Sequence, residues 1–489
     1  MTIRSGESVP TTANVLKRLL TQSDRLSVSI DDELMVEEVG VRDLVARFGS
    51  PLFVLSDSTL RANYGRIRAA FEAAWPGSVN VMYAIKCNPN FAVRAVLHQE
   101  GAGGDCFGTG ELEATFAGGA DRDTIALNGS NKTAEALRRA VELGVYINLD
   151  DEEEIDRLAA IARDAGTRVR VNIRLKIVPE SYSDYESDLI GFRGDIRPEL
   201  RRWKWGVTAD VAERMIGRIG DQGELELTGY HAHLGRMSPV LDYRAAFDAE
   251  VGSTATALYR ATGFAPAVID IGGGWARERD PESKRETPNP YRIEDYAAAS
   301  AEALLAPLLD AGMPVPALWL EPGRYIAGNA GVLVATVGAV KRDAGMTWVN
   351  VDASTNLMPL IGAGDEGTRN MVIAATGMDR PLTLTADVVG PICIPSVLGQ
   401  DCALPEVAHG DLIAILDAGM YAESDSHQLN CVPRPATVMV RGAKAAVIRA
   451  AETLDGLFAN QRIPAWLQGT EAPPSHYRDQ AVSAADDTS

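Results

Sequence analysis

From residue 46 onward, short apolar runs rich in β-branched residues alternate with longer stretches of helical periodicity, the pattern of parallel strands joined by crossover helices. The strand candidates, in order, are "NVMYAIK", "GGDCFG", "TIALNG", "VYINLD", "RVRVNIRL", "LTGYHAHLG", "AVIDIGGG" and "ALWLEPGR". The helix candidates between them have readable ends. "KTAEALRRAVELG" carries Lys132 and Thr133 at its start and Gly144 at its end, and "RIEDYAAASAEALLAPLLDAG" closes on Gly312. Eight strand–helix units in about 280 residues predict an α/β fold, a (β/α)8 TIM barrel.

The chain of 489 residues leaves room for a second domain. After Arg324 the text changes to alternating strands with Gly and Asp turns, "VLVATVGAVKR", "MTWVNVDAS", "LTLTADVVG", "DLIAILDAG" and "PATVMVRG", which predicts an all-β C-terminal domain. The expected boundaries are 46–326 for the barrel, 327–465 for the β domain with residues 1–45 contributing to it, and 466–489 for a mobile tail too poor in apolar residues to pack. The charged insert at 176–205, after the fifth strand, is expected to be a surface excursion near the barrel mouth.

Charge and cysteine usage narrow the function classes. A formal net charge of -20 disfavours nucleic acid and anionic membranes. The start lacks an apolar secretion core, and no stretch approaches the roughly 20 apolar residues that span a bilayer, so a cytoplasmic protein is expected. Cys87, Cys106, Cys393, Cys402 and Cys431 form no C-x-x-C pair, which argues against a metal site or a disulfide framework.

Functional groups of a barrel cluster at the C-terminal ends of its strands, and that rule selects Lys86, Asp105, His231, His233, the glycines of "DIGGG", and Glu321 with Arg324. A lysine desolvated by apolar walls is a potential amine nucleophile for a Schiff base, with pyridoxal phosphate as one aldehyde partner. Gly272, Gly273 and Gly274 can bring backbone N–H groups close to a phosphate. Glu321 can hold a pyridinium nitrogen protonated while Arg324 pairs with phosphate or carboxylate, and the His233 ring can stack on a flat cofactor. Each feature alone has a bland reading: a snorkelling lysine, a tight turn, a surface ion pair, a core histidine. Their order on successive strands of one barrel favours the joint one.

These residues and the segments "YAIKCNPN", "GGDCFGTGELEA", "HAHLG", "DIGGG", "EPGR", "GPIC" and "DAGMYAES" resemble the fold-type III pyridoxal phosphate decarboxylases, the group of diaminopimelate, ornithine and arginine decarboxylases. The resemblance implies an alanine-racemase-like barrel with a C-terminal β domain, pyridoxal 5'-phosphate as cofactor, an amino-acid substrate and a homodimer with shared active sites. Lys86 would hold the cofactor and His233 would stack on it. Glu321 would pair with its nitrogen and Asp105 would support the ring and the lysine. Gly235, Gly273, Gly274, Gly323, Arg324 and Tyr421 would bind phosphate. Cys393, from the partner subunit, would protonate the quinonoid formed when CO2 leaves. The alternatives are a racemase or epimerase on the same fold, or a catalytically inactive regulatory homologue.

The chain departs from that pattern at the substrate end. Ile394 follows Cys393 where the diaminopimelate enzymes have a glutamate and the ornithine enzymes an aspartate. "NLMPLIGAG" offers Met358 and Gly362 where an arginine and a tyrosine are expected, and "HLGRM" has Arg236 in place of a serine. His427 and Asn430 are further candidate specificity residues, with Arg324 and the 176–205 insert. These departures predict a substrate other than diaminopimelate or ornithine.

Overall fold

The computed structural model describes residues 10–187, 192–235, 240–281, 289–361 and 368–467. Eight strands, β1 Val79–Ala84, β2 Gly103–Cys106, β3 Ile125–Leu127, β4 Tyr146–Leu149, β5 Val169–Arg174, β6 Leu225–His231, β7 Val268–Asp270 and β8 Ala317–Leu320, pair in parallel. They close in chain order, with β5 against β6 and β8 against β1. Their apolar character follows from burial on both faces, inward into the barrel and outward under the helices. Local signals set the helix ends. In Ala134–Leu143 the Thr133 hydroxyl accepts from the Ala136 N–H at 3.1 Å, and Gly144 closes the helix in the left-handed region at φ 69°.

The second domain is a β sheet. Strands β9 Gly331–Asp343, β10 Met346–Val351, β11 Val372–Ala374, β12 Leu384–Val389, β13 Val397–Leu404, β14 Leu412–Ile415, β15 Thr437–Arg441 and β16 Lys444–Arg449 belong to it. The strand Leu52–Ser56 lies between β9 and β15, antiparallel to the first and parallel to the second. The N-terminal contribution to this domain therefore runs past residue 45 to residue 56. "LFVLS" is buried along its whole length and looks locally like a barrel strand; only its distant partners reveal its place. Three short strands, Leu26–Val28, Leu34–Val36 and Val39–Gly40, form a separate meander that touches the sheet domain through a Glu33–Thr376 bridge.

The insert is not wholly a surface excursion. Tyr182, Tyr185, Ile196 and Leu200 are buried in the barrel's own core cluster, and the Tyr182 ring packs edge-on against Tyr243 at 5.6 Å. A few well-spaced large side chains anchor an otherwise charged segment.

The two domains are joined by a buried polar network. Asp417, after β14, accepts from Arg277 Nη2 at 2.5 Å and Arg279 Nε at 2.8 Å, and Arg279 Nη1 also donates to Asp24 at 2.9 Å. No helix among the described residues is long and apolar enough to cross a membrane. All five cysteines are free.

Candidate active site

The strand ends converge on a cavity of about 280 Å³ lined by Lys86, His233, Glu321, Arg324, Tyr421 and Asp425, with Ala84, Gly235, Gly274, Gly323 and Leu360 between them. Its size is at the lower end of small-molecule sites, roughly 300–1,000 Å³. Barrel and β domain both contribute: the Tyr421 N–H donates to the Cys87 carbonyl at 2.9 Å, next to Lys86.

Lys86 Nζ donates to Asp105 Oδ2 at 2.7 Å and lies 4.5 Å from the Phe107 ring centroid. Burial works to lower its pKa, but Asp105, Tyr421 and Glu321 outweigh burial and raise it. This reverses the expectation of a lysine whose charged form is disfavoured by burial: the Asp105 carboxylate stands against the group and favours the ammonium. Asp105 remains its counter-ion although burial, and then the Glu321 charge, raise its own pKa. Both of its oxygens accept hydrogen bonds, Oδ1 from Asn128 Nδ2 at 2.7 Å and Oδ2 from the lysine.

Asn128 ties the two functional carboxylates together. Its Nδ2 group also donates to Glu321 Oε1 at 2.7 Å, and its oxygen accepts from Asn148, which accepts from Asn172. An amide ladder thus crosses β5, β4 and β3 inside the barrel, each member donating to the next, and ends with one NH2 group shared by two carboxylates. Burial alone would raise Glu321, yet His231, whose Nε2 lies 3.2 Å from Oε2, and Lys86 hold it well below the usual carboxylate range. Asp270 moves the other way, pushed well up by burial and then by the Glu321 charge. His231, Asp270 and Glu321 bring one ligand atom each within 4.8 Å of one another. Of the three, His231 Nε2 and Glu321 Oε2 are 3.2 Å apart, while Asp270 Oδ1 accepts from the Gly272 N–H at 2.8 Å.

His233 is held neutral, chiefly by burial, and its Nδ1 accepts from the Gly273 N–H at 3.0 Å, which fixes the ring plane. Gly273 therefore orients the imidazole, while Gly235, Gly274 and Gly323 face the cavity. A Cβ at Gly273 would stand 2.2 Å from the Glu321 carbonyl oxygen and one at Gly323 2.9 Å from Cys87 Cβ; only glycine permits these approaches.

Other expected site residues lie elsewhere. Met358 is buried at 4% exposure outside this cavity's lining. Cys393, Ile394 and His427 stand on exposed loops, also outside it. Those loops are mutually tied: the Cys393 N–H donates to Asn430 Oδ1 at 3.1 Å and the His427 N–H to the Asn356 carbonyl at 3.0 Å. Arg236, Gly362 and the tail from 468 lie outside the described residues.

Sequence reasoning missed Asn128, Glu111, Arg174 and Asp425. Glu111 is pushed up to about 7 by burial and then by Asp105. Arg174, buried at the end of β5, is a fixed cation that helps keep His233 neutral. The available signal was an asparagine in each of "TIALNG", "VYINLD" and "RVRVNIRL", a polar residue repeated at an inward position of three successive strands.

An amine, an imidazole face, an ionised buried carboxylate, and a guanidinium beside glycine loops are the groups a pyridoxal phosphate site requires, and here they share one cavity. Residues 59–328 match the family model "Pyridoxal-dependent decarboxylase, pyridoxal binding domain". The chain belongs to this family. Among curated relatives, the diaminopimelate decarboxylase of Methanothermobacter thermautotrophicus is 32% identical over 446 residues, covering 90% of this chain and 98% of that one. That of Pseudomonas aeruginosa is 31% identical over 443 residues, covering 88% and 98%. A diaminopimelate decarboxylase from M. jannaschii, solved in complex with L-lysine, shares the fold with a TM-score of 0.81 at 24% identity, covering 91% of this chain and 99% of that one. This pyridoxal-dependent decarboxylase is accordingly a pyridoxal phosphate carboxy-lyase acting on an amino acid. Racemase and inactive-homologue readings give way to that activity. The relatives' names weigh against the expectation that diaminopimelate is excluded as a substrate.

Proposed function

We propose that this decarboxylase binds pyridoxal phosphate through Lys86 and releases the α-carboxyl group of an amino acid whose far end is not that of diaminopimelate. The observation that carries the assignment of groups is the single cavity in which Lys86 and Glu321 are linked through Asp105 and Asn128. When bound, the coenzyme supplies an electron sink for the pair left by CO2. Glu321, held ionised, keeps a proton on the ring nitrogen. His233 supports the ring face, and Arg324 with Gly235, Gly274, Gly323 and Tyr421 holds the phosphate, Gly273 acting through His233. Lys86 Nζ accepts and returns protons as substrate enters and product leaves, with Asp105 as its counter-ion.

Cys393 of a second copy is the acid that returns a proton to the α-carbon. Its exposure on a loop outside its own chain's cavity supports a homodimer with composite sites. Ile394, 46% exposed, offers no charge to a distal ammonium, and the apolar, buried Met358 offers none to a distal carboxylate.

The test is CO2 release across L- and D-amino acids with diaminopimelate first on the panel, and Lys86→Ala as control. Lys86→Ala should abolish both turnover and the visible absorbance of the bound coenzyme. Cys393→Ala should keep that absorbance and slow turnover or divert the product. Diaminopimelate as the best substrate would overturn the reading of the far end, and an unchanged rate in Cys393→Ala would remove the cysteine from its role.

A further inference from the structure

The turn after Tyr421 brings a carboxylate to the cavity. Asp425 lines it together with Lys86, Tyr421 and Leu360, and hydrogen bonds on both sides fix its place. The Tyr421 N–H and Ser424 Oγ both donate to the Cys87 carbonyl, at 2.9 and 3.4 Å, one residue beyond Lys86. Ser426 Oγ donates to the Glu423 carbonyl at 2.7 Å and accepts from Arg434 Nε at 2.8 Å. The loop that carries the reactive lysine thus also holds the turn that carries Asp425.

The neighbouring acid is committed elsewhere: Glu423 accepts from Arg449 Nη1 at 3.0 Å and from Asn90 Nδ2 at 2.8 Å. Asp425 has the Ser424 hydroxyl beside it, and among the described residues it forms no ion pair. Asp425 stays exposed on the turn, and what burial it has raises its pKa while the Ser424 hydroxyl works against that rise. Leu360 adds an apolar side chain to the same lining.

We infer that Asp425 reads the far end of the substrate, and that this end is a cation, an ammonium or guanidinium, on an apolar chain running along Leu360. The inference rests on the decarboxylase reading of the same cavity and deepens it. A carboxylate at 425 supplies the charge that isoleucine at 394 lacks. The cavity's cations, Lys86 and Arg324, are the ones assigned to the coenzyme, and with methionine at 358 no further cation among the described lining residues offsets the repulsion of a distal carboxylate by Asp425.

The test compares L-lysine, its analogue L-norleucine that lacks the terminal ammonium group, and L-2-aminoadipate with a distal carboxylate. The parent enzyme should prefer lysine. In Asp425→Asn the ratio of kcat/KM for lysine over norleucine should fall by about 10- to 100-fold, the range for a charged hydrogen bond. Asp425→Glu should keep most of the preference and Asp425→Lys should shift it toward 2-aminoadipate. Without turnover, the holoenzyme should bind 1,5-diaminopentane more tightly than 1-aminopentane, and Asp425→Asn should erase the difference. A parent that favours norleucine or aminoadipate, or variants whose ratios and amine affinities match the parent's, would overturn the assignment. No CO2 from these compounds, from L-arginine or from the wider set of L- and D-amino acids would instead refute the decarboxylase reading on which the inference rests.

Discussion

Replacing Asp417 with alanine removes the carboxylate at which the two domains meet. Its side chain is 1% exposed, and it faces Arg277 and Arg279, which are 6% and 12% exposed. Loss of one partner of a buried ion pair costs about 3–5 kcal/mol. Here Arg279 keeps Asp24, and Arg277 Nη1 keeps Asn329 Oδ1 at 2.8 Å, which places Asp417→Ala near the lower end, about 3 kcal/mol. Against a domain stability of about 5–15 kcal/mol, the midpoint of urea unfolding should move visibly. Asp417→Asn, which keeps an acceptor but not the charge, should fall between variant and parent. Burial alone would raise Asp417, but Arg279 and Arg277 hold it below the usual carboxylate range. Its stabilisation is therefore complete above the ordinary aspartate value of about 3.9 and is lost as pH falls through the lower folded value. The parent's stability should decline with acid more steeply than the alanine variant's. A loss within about 0.5 kcal/mol, as for a surface site, or parallel acid profiles, would refute the reasoning.

Two further substitutions probe the cavity. Glu321→Gln keeps the shape and the hydrogen bond to Asn128 but loses the charge, and should lower kcat by about 10²- to 10³-fold, measured with saturating coenzyme. Asn128→Leu leaves Asp105 and Glu321 without their shared donor, at about 1–3 kcal/mol for each; the thermal midpoint should fall and the bound coenzyme should dissociate faster.

All eight barrel strands are legible because parallel strands buried on both faces leave continuous apolar runs, and the fold rule then points to the polar residue at each C-terminal end. Lys86, Asp105, His233 and Glu321 emerge that way. The pairings among them do not: Asn128 meets Glu321 only because β8 closes against β1. The strand Leu52–Ser56 falls inside the expected barrel bounds for the same reason, since its partners Gly331–Val334 and Thr437–Val440 are distant in sequence. Strand β16 is apolar in sequence at 445–448 yet has no buried residue along Lys444–Arg449, so an apolar run alone does not tell which strands are covered. Asp425 looks in sequence like any solvated turn acid, and only the cavity distinguishes it.

The origin of the lining groups separates chemistry from recognition. Lys86, His233, Glu321 and Arg324 come from strand ends of the barrel, where a rigid sheet and the asparagine ladder hold them. Leu360, Tyr421 and Asp425 come from loops of the β domain, docked through the Asp417 network and the Cys87 carbonyl. The residues at which this chain departs from the family pattern and that the structure describes, Met358 and Ile394, also lie in that domain, as do the additional candidates His427 and Asn430. A change in the β-domain loops can therefore alter the amino acid accepted while leaving the lysine, its counter-ion and the buried carboxylate in place. That separation explains why a pyridoxal phosphate site is legible in the barrel strands while the substrate must be read from Asp425 and the loops around it.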